Sequence, residues 1–426
     1  MLHIAPRNYK FKALEIQKRF SSGATLSKYP AIIGYGRTKF GELYERSPEE
    51  LIEEAGLKAL DLAGVERKDL EYCFLSDYFL QLTNKIGLEE GFMSELLELH
   101  VPMEKCRSFS SALFNAYTAI MAGRCKLALV GGVEKLTDRW DKIRDDLMIL
   151  EDPWSYYAGG SPEANHELMM RLYVKEYGLS QEEADELLEA LAMIAVKNHQ
   201  WATLNKEAHF HNKPITISEV LKARKKERKL LGLYDFAPIS DGASVVILAS
   251  PEVASKLCED PVYVVGFGSS TDFISYPCRQ GRAGFLATRL AAEVAFDMAK
   301  MEPENIGVAE LYDQSTLLEL IALEDLGFYG KGEGWAKVKE SLESGNVYQL
   351  EGARELYVNT SGGRKADGNP LGASGGAMVI EVAKQLREEA EARQVSFTGK
   401  ARAGLVVEHE GFGTKTYVHI LSREVP

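Results

Sequence analysis

The stretch 358–386, VNTSGGRKADGNPLGASGGAMVIEVAKQL, decides the fold class. It opens glycine-rich and polar, is punctuated by Pro370, and from residue 373 runs on as small and apolar residues at helical spacing. A loop this rich in glycine lets backbone approach a ligand or a neighbouring segment closely before it enters a buried helix. Its spacing is not that of GxxxxGK[ST], so it is not a nucleotide cradle of that type.

A second junction of the same kind lies far upstream. Residues 103–123, MEKCRSFSSALFNAYTAIMAG, place Cys106 just ahead of a small-residue helix predicted over 108–122, with Gly123 as its stop. Free backbone N–H groups and the helix dipole at such a place are expected to favour a thiolate, which makes Cys106 a candidate nucleophile. Free cysteine is also commonly core filler, and Cys73, Cys125, Cys258 and Cys278 keep that reading.

Around these junctions the pattern alternates buried strands with helices. AIIGYGRTKFG (31–41), KLALVGGVEKL (126–136), DGASVVILAS (241–250) and VYVVGFGSS (262–270) read as buried strands, and 48–64 as an amphipathic helix. The chain closes with two strands in ARAGLVVEHEGFGTKTYVHIL (401–421). Residues 137–234 differ: they are aromatic- and charge-rich and read as an inserted helical cap, which includes the basic run KARKKERK at 222–229. The expected organisation is an α/β fold with an N-terminal extension over 1–28, a first half over 29–250 and a second half over 260–426. Both halves share one plan, which predicts a duplication whose two loop-to-helix junctions, at Cys106 and Asn369, build one site.

Composition narrows the function. With 45% hydrophobic residues, a chain of 426 residues buries a sizeable core. A net charge of -13 argues against a general nucleic-acid or anionic-membrane binder. Five cysteines without CxxC or Cys/His ligand spacing indicate neither a disulfide framework nor a metal site, and they are read as reduced, cytoplasmic thiols. No apolar run approaches the ~20 residues of a membrane span.

In order along the chain, GYGRTKFG, LALVGGVEKLTD, VKNHQWATLN, DFAPISDGASVVILAS, VAELYDQS, EDLGFYGKGEG and VNTSGGRKADGNPLGASG resemble segments of the thiolase superfamily, in its sterol-carrier-protein-type and archaeal acetyl-CoA acetyltransferase-like branch. The resemblance implies two βαβαβαββ-type halves in five layers, α-β-α-β-α. It also implies coenzyme A as substrate or product with no tightly bound cofactor, a homodimer, and for some members a separate zinc-ribbon/OB-fold subunit. It places Cys106, eleven residues ahead of Tyr117, at the position that accepts an acyl group.

The departures carry as much information. The family's Gly-His-Pro reads Gly368-Asn369-Pro370, and its His-Asp loop reads Tyr312-Asp313. By spacing from Gly404-Leu405, His409 falls at the cysteine of the family's Cys-x-Gly and Gly411 at its glycine. The implied set is Cys106 as nucleophile, His409 as relocated base and Asn369 as oxyanion donor, with its pKa expected to be raised by Glu408 and Glu410 in the histidine's case. Lys222, Arg224, Lys225 and Lys226 in the cap are the expected contacts to the nucleotide phosphates, and a solvated helix face is the competing reading. Arg279 and Arg282 are candidates for pairing with an acidic acyl group. Gly368, Gly372, Ser374 and Gly411 are expected to line the thioester. Two alternatives stand beside acyl transfer: a β-hydroxyacyl-CoA retro-aldolase using Tyr312, and a non-catalytic thiolase-like subunit.

Overall fold

The computed structural model describes residues 29–426; the N-terminal extension expected over 1–28 lies outside them. Among the described residues eleven strands are hydrogen-bonded into one sheet. In the first half these are β1 (Ala31–Arg37), β2 (Tyr72–Ser76), β3 (Met103–Cys106), β4 (Leu127–Lys135) and β5 (Asp241–Ala249). In the second they are β6 (Val262–Thr271), β7 (Ile306–Leu311), β8 (Tyr348–Leu350), β9 (Arg354–Val358), β10 (Ala403–Glu410) and β11 (Lys415–Ser422). With β8 set aside as an extra antiparallel edge on β9, both halves follow one strand order, 3-2-4-5-1. The two half-sheets are not separate: Ala31 pairs with Tyr263 and Ile32 with Val262, which joins them through β1 and β6.

The central strands are continuous apolar runs because both of their faces are covered. Every residue of β1, β4, β5 and β10 is buried. On the outer face of the first half lies α1 (Pro48–Ala63), started by a capping box between Ser47 and Glu50 with Pro48 at its first position. Between the half-sheets lies α2 (Phe109–Met121), whose N-cap Ser108 accepts from the Ser111 N–H. The connection from β4 to β5 is helical and includes α3 (Gln181–Leu204) and α4 (Ile217–Glu227). In the second half α5 (Leu286–Ala299) packs on β6 and β11, and α6 (Thr316–Asp325) follows β7. The glycine-rich α7 (Leu371–Leu386) packs on β4 and β5 of one half and on β7 and β10 of the other, which completes the helix–sheet–helix–sheet–helix layering. Among the described residues no helix is long and apolar enough to cross a membrane.

Small residues in α7 exist to let it lie between two sheets. A Cβ on Gly132 of β4 would come 2.0 Å from the Gly372 carbonyl oxygen and 2.6 Å from Ser76 Oγ, so strand and helix backbones touch there. The Ser76 hydroxyl donates to that same Gly372 oxygen at 2.7 Å. Because neither backbone can yield to a methyl group, Gly132→Ala is expected to lose about 1–3 kcal/mol or more in denaturant unfolding. Gly64→Ala, at an open C-cap with φ 65°, should lose less, near 1 kcal/mol.

Candidate functional site

The C-terminal ends of β2, β3, β7 and β10 and the start of α7 converge between the half-sheets. Cys106 is the last residue of β3, paired in register with Ser76 of β2, and it is 8% exposed. Its Sγ accepts from Asn115 Nδ2 at 3.2 Å. Burial pushes the thiol above its ordinary value, with Asn115 and Ser111 as hydrogen-bonding partners working in the other direction. The expectation of a thiolate stabilised by free helix N–H groups is therefore corrected. In the first turn of α2 the Ser110 N–H donates to Glu408 Oε2 at 2.7 Å and the Ser111 N–H to Ser108 Oγ at 3.2 Å, so these donors are already taken.

Strand alternation then separates the residues of the EHE stretch in β10. Glu408 and Glu410 turn toward α2: besides Ser110, the Ser108 hydroxyl donates to Glu410 at 2.7 Å and the Arg107 guanidinium at 3.0 Å. His409 turns the other way, with Nε2 at 3.1 Å from Thr288 Oγ1 of α5 and its ring packed edge-on at 5.1 Å from Phe285. Its ring stands at a centroid distance of 6.1 Å from that of Tyr312. Burial pushes its pKa down to about 3, the reverse of the rise expected from the flanking carboxylates, whose charges lie on the opposite face. A base for Cys106 at His409 is not what this geometry provides. The group facing α2 is Glu408, fully buried, raised by burial to about 7, with Oε1 left without a hydrogen-bond partner. Sequence reading misses it because, beside a histidine, it treats Glu408 only as a modifier of that residue's pKa.

Tyr312 and Asn369 do come together. The Tyr312 hydroxyl donates to Asn369 Oδ1 at 3.1 Å and the Ser374 hydroxyl donates to the same oxygen at 2.8 Å. Two donors on Oδ1 leave the Nδ2 of Asn369 as the amide's free donor. Burial holds the Tyr312 phenol above its ordinary value and therefore protonated. Among the four expected lining residues, Ser374 is thus spent on Asn369, and the Gly372 N–H donates to Glu134 Oε2 at 3.1 Å. Gly368, at φ 111°, and Gly411, at φ 62°, shape backbone: their Cβ positions would fall 2.9 Å from Ser240 Oγ and 2.5 Å from the Leu150 carbonyl oxygen. A further correction concerns the predicted basic contacts. Arg224 is 4% exposed and its Nε donates to Asp235 at 2.8 Å and its NH1 to the Leu188 carbonyl at 2.6 Å, so it is a structural ion pair, whereas Lys222, Lys225 and Lys226 are exposed. Arg279 is likewise buried, donating to the carbonyls of Phe273 and Phe412 and to Thr414 Oγ1, which pins the turn after β10; Arg282 is exposed. A cavity of about 40 Å³ is lined by Ile52, Leu60, Leu75, Phe92 and Met93 on the outer side of the first half, and neither Cys106 nor Tyr312 is among its lining residues.

Two measurements check these placements. Arg224→Ala leaves Asp235 buried without its partner and is expected to cost about 3–5 kcal/mol of stability, while Lys226→Glu on the exposed face stays within about 0.5 kcal/mol. For His409 the folded pKa lies below the unfolded value of 6.5, so its contribution is fully present above pH 6.5 and is lost as pH falls toward 3. His409→Asn should therefore lose less stability than the wild type between pH 7 and pH 4, by on the order of 3 kcal/mol, in denaturant titrations at the two pH values.

Comparisons with known proteins agree with this architecture. Residues 30–230 match the thiolase N-terminal domain and residues 269–423 the thiolase C-terminal domain-like family. The acetyl-CoA acetyltransferase of Methanothermobacter thermautotrophicus is 34% identical over 402 residues, covering 92% of this chain and 99% of that protein. Sterol carrier protein 2 of Gallus gallus is 28% identical, over 91% of this chain and 71% of its own. Among solved structures, the Ltp2-ChsH2(DUF35) aldolase superposes with a TM-score of 0.75 at 22% identity, covering 93% of this chain and 98% of that one, a likeness of fold. With both halves matched in order and a relative above 30% identity along nearly its whole length, the chain belongs to the thiolase family of acyltransferases.

Proposed function

We propose that this chain makes or cleaves a carbon–carbon bond next to a coenzyme A thioester through an acyl-Cys106 intermediate. The observation that carries the reading is the placement of Cys106: a cysteine at the end of β3, beside α2, whose first turn is bound by the carboxylates of β10. The names of the relatives, acetyl-CoA acetyltransferases at 34% identity, support a coenzyme A thioester as substrate. In the proposed step the Cys106 sulfur attacks the thioester or 3-oxo carbonyl and Asn369 Nδ2 donates to the carbonyl oxygen. Glu408 is the carboxylate available to hold a proton near pH 7.

Retro-aldol cleavage by Tyr312 is the second reading, supported by the fold likeness to an aldolase. It asks the phenol to accept a proton, and burial, with the Glu408 carboxylate adding to it, keeps that phenol protonated. This favours acyl transfer. The same proposal includes the division into halves at 29–250 and 260–426 with a cap over 137–234, phosphate contacts from Lys222, Lys225 and Lys226, a homodimer, a small zinc-ribbon/OB-fold partner subunit, and a cytoplasmic location. The neighbour solved as Ltp2-ChsH2(DUF35) supports the idea of a partner.

Incubation with acetyl-CoA or acetoacetyl-CoA should add an acyl mass to the Cys106 peptide, and Cys106→Ala should abolish both adduct and turnover. Full activity in Cys106→Ala would overturn acyl transfer and move the chemistry to Tyr312.

A further inference from the structure

Tyr78 belongs to none of the motifs above, yet the fold delivers it to the site. It lies two residues beyond β2, whose last residue, Ser76, is the register partner of Cys106. Its position is fixed by backbone. The Tyr78 N–H donates to Glu134 Oε2 at 3.0 Å and the Phe79 N–H to Glu134 Oε1 at 2.9 Å. The same carboxylate accepts the Gly372 N–H of α7 at 3.1 Å. One buried side chain on β4 thus ties the turn after β2 to the first turn of the helix that follows Asn369. Tyr78 is 7% exposed and packs with Leu371, Leu136 and Ile143, so the ring is held beside the Gly-Asn-Pro-Leu loop.

The groups that bear on the charge of the phenol come from β10, from the loop after β7 and from the segment before α2. Burial raises its pKa most, and Glu410, Tyr312 and Glu408 add to the rise, while Arg107, next to the nucleophile, opposes it. The hydrogen bonds of Tyr78 among the described residues run through its backbone, in contrast to Tyr312, whose hydroxyl is committed to Asn369. Both histidines of the family's pattern are replaced here, by Asn369 and Tyr312, so the site needs a hydrogen-bond donor that costs no charge.

We propose that Tyr78 is a further catalytic residue, whose hydroxyl, with Asn369 Nδ2, donates to the carbonyl oxygen of the thioester attacked by Cys106. This rests on the acyl-Cys106 reading. The Cys106 thiol gives its proton to Glu408 as its sulfur forms a bond to the carbonyl carbon, and the carbonyl π electrons move to oxygen, where the two donors hold the charge without transferring their own protons. The oxyanion then collapses, the bond from carbon to the coenzyme A sulfur breaks, and that sulfur takes the proton released by Cys106.

The test is Tyr78→Phe in the full chain, which removes one oxygen and keeps the ring. Single-turnover acylation of Cys106 by acetyl-CoA or acetoacetyl-CoA, followed by mass, should slow about 10²–10³-fold, the loss seen when one oxyanion donor is removed. KM for the thioester should change less than about 3-fold and the melting temperature should hold, a split that a packing role would not give. Acylation by Tyr78→Phe at the wild-type rate, or a change confined to KM, would remove Tyr78 from the chemistry and leave the acyl-cysteine reading standing. A wild-type chain that forms no adduct on Cys106 overturns both.

Discussion

The structure turns on one buried carboxylate. Glu134, in the middle layer's wall on β4, accepts three backbone N–H groups, from Tyr78, Phe79 and Gly372, that have no alternative partner in a dry interior. Burial pushes it up to about 8, with Asp77 adding to the rise and the three donors working against it. Removing it would strand the turn after β2 and the first turn of α7 at once, leaving three unsatisfied donors at a cost of roughly 1–3 kcal/mol each. It works only because Gly132, two residues away, lets the α7 backbone touch β4. Clamp and close approach together bring the second-half helix to the end of the first-half strands, which is where Cys106 and Asn369 must meet.

A second constraint is the period of two along β10. In EHE the carboxylates and the imidazole cannot share a face, and the hydrogen bonds to Ser108, Ser110 and Arg107 commit the carboxylates to α2. Glu408 is seated by Gly375, where a Cβ would come 2.2 Å from its Oε2. Glycine in α7 is therefore what admits a carboxylate beneath the N-terminus of α2. His409 is left to the apolar face with Phe285, as a neutral ring.

Much of this was legible in the sequence, and the parts that were not share a cause. Buried strands such as LALVGGVEK and DGASVVILA announce themselves by composition, and the two loop-to-helix junctions by their glycines and small residues. Cys106 was placed by its position before a helix, and Asn369 and Tyr312 by resemblance; the structure brings the latter two within 3.1 Å. What failed were inferences about direction. Spacing aligned His409 with a site position, but side-chain direction depends on which face of β10 meets α2, and that is set by tertiary packing. Arg224 reads like its neighbours in a basic run; the rotation of about 100° per residue along the helix buries it against Asp235 while Lys225 and Lys226 stay in solvent. Tyr78 had no sequence signal, because what delivers it is a hydrogen bond to a glutamate 56 residues away.

Burial also fixes the kind of chemistry the site can run. It lowers His409 to about 3, raises the phenols of Tyr78 and Tyr312, raises the Cys106 thiol and lifts Glu408 to about 7. Every one of these shifts favours the uncharged form, so the phenols and the thiol rest neutral in a poorly solvated space, with Glu408 poised between its two forms near pH 7. Hydrogen bonds there are stronger than in water, which suits stabilisation of an oxyanion that forms only during reaction. The cost is a nucleophile that starts as a thiol. Its proton has to leave as the sulfur attacks, and the charge created must be taken up at once by the carbonyl oxygen, where the donors already wait. In such a site the order of events is set by desolvation: the thiolate does not precede the substrate, because only the substrate carries the atom on which the new charge can rest.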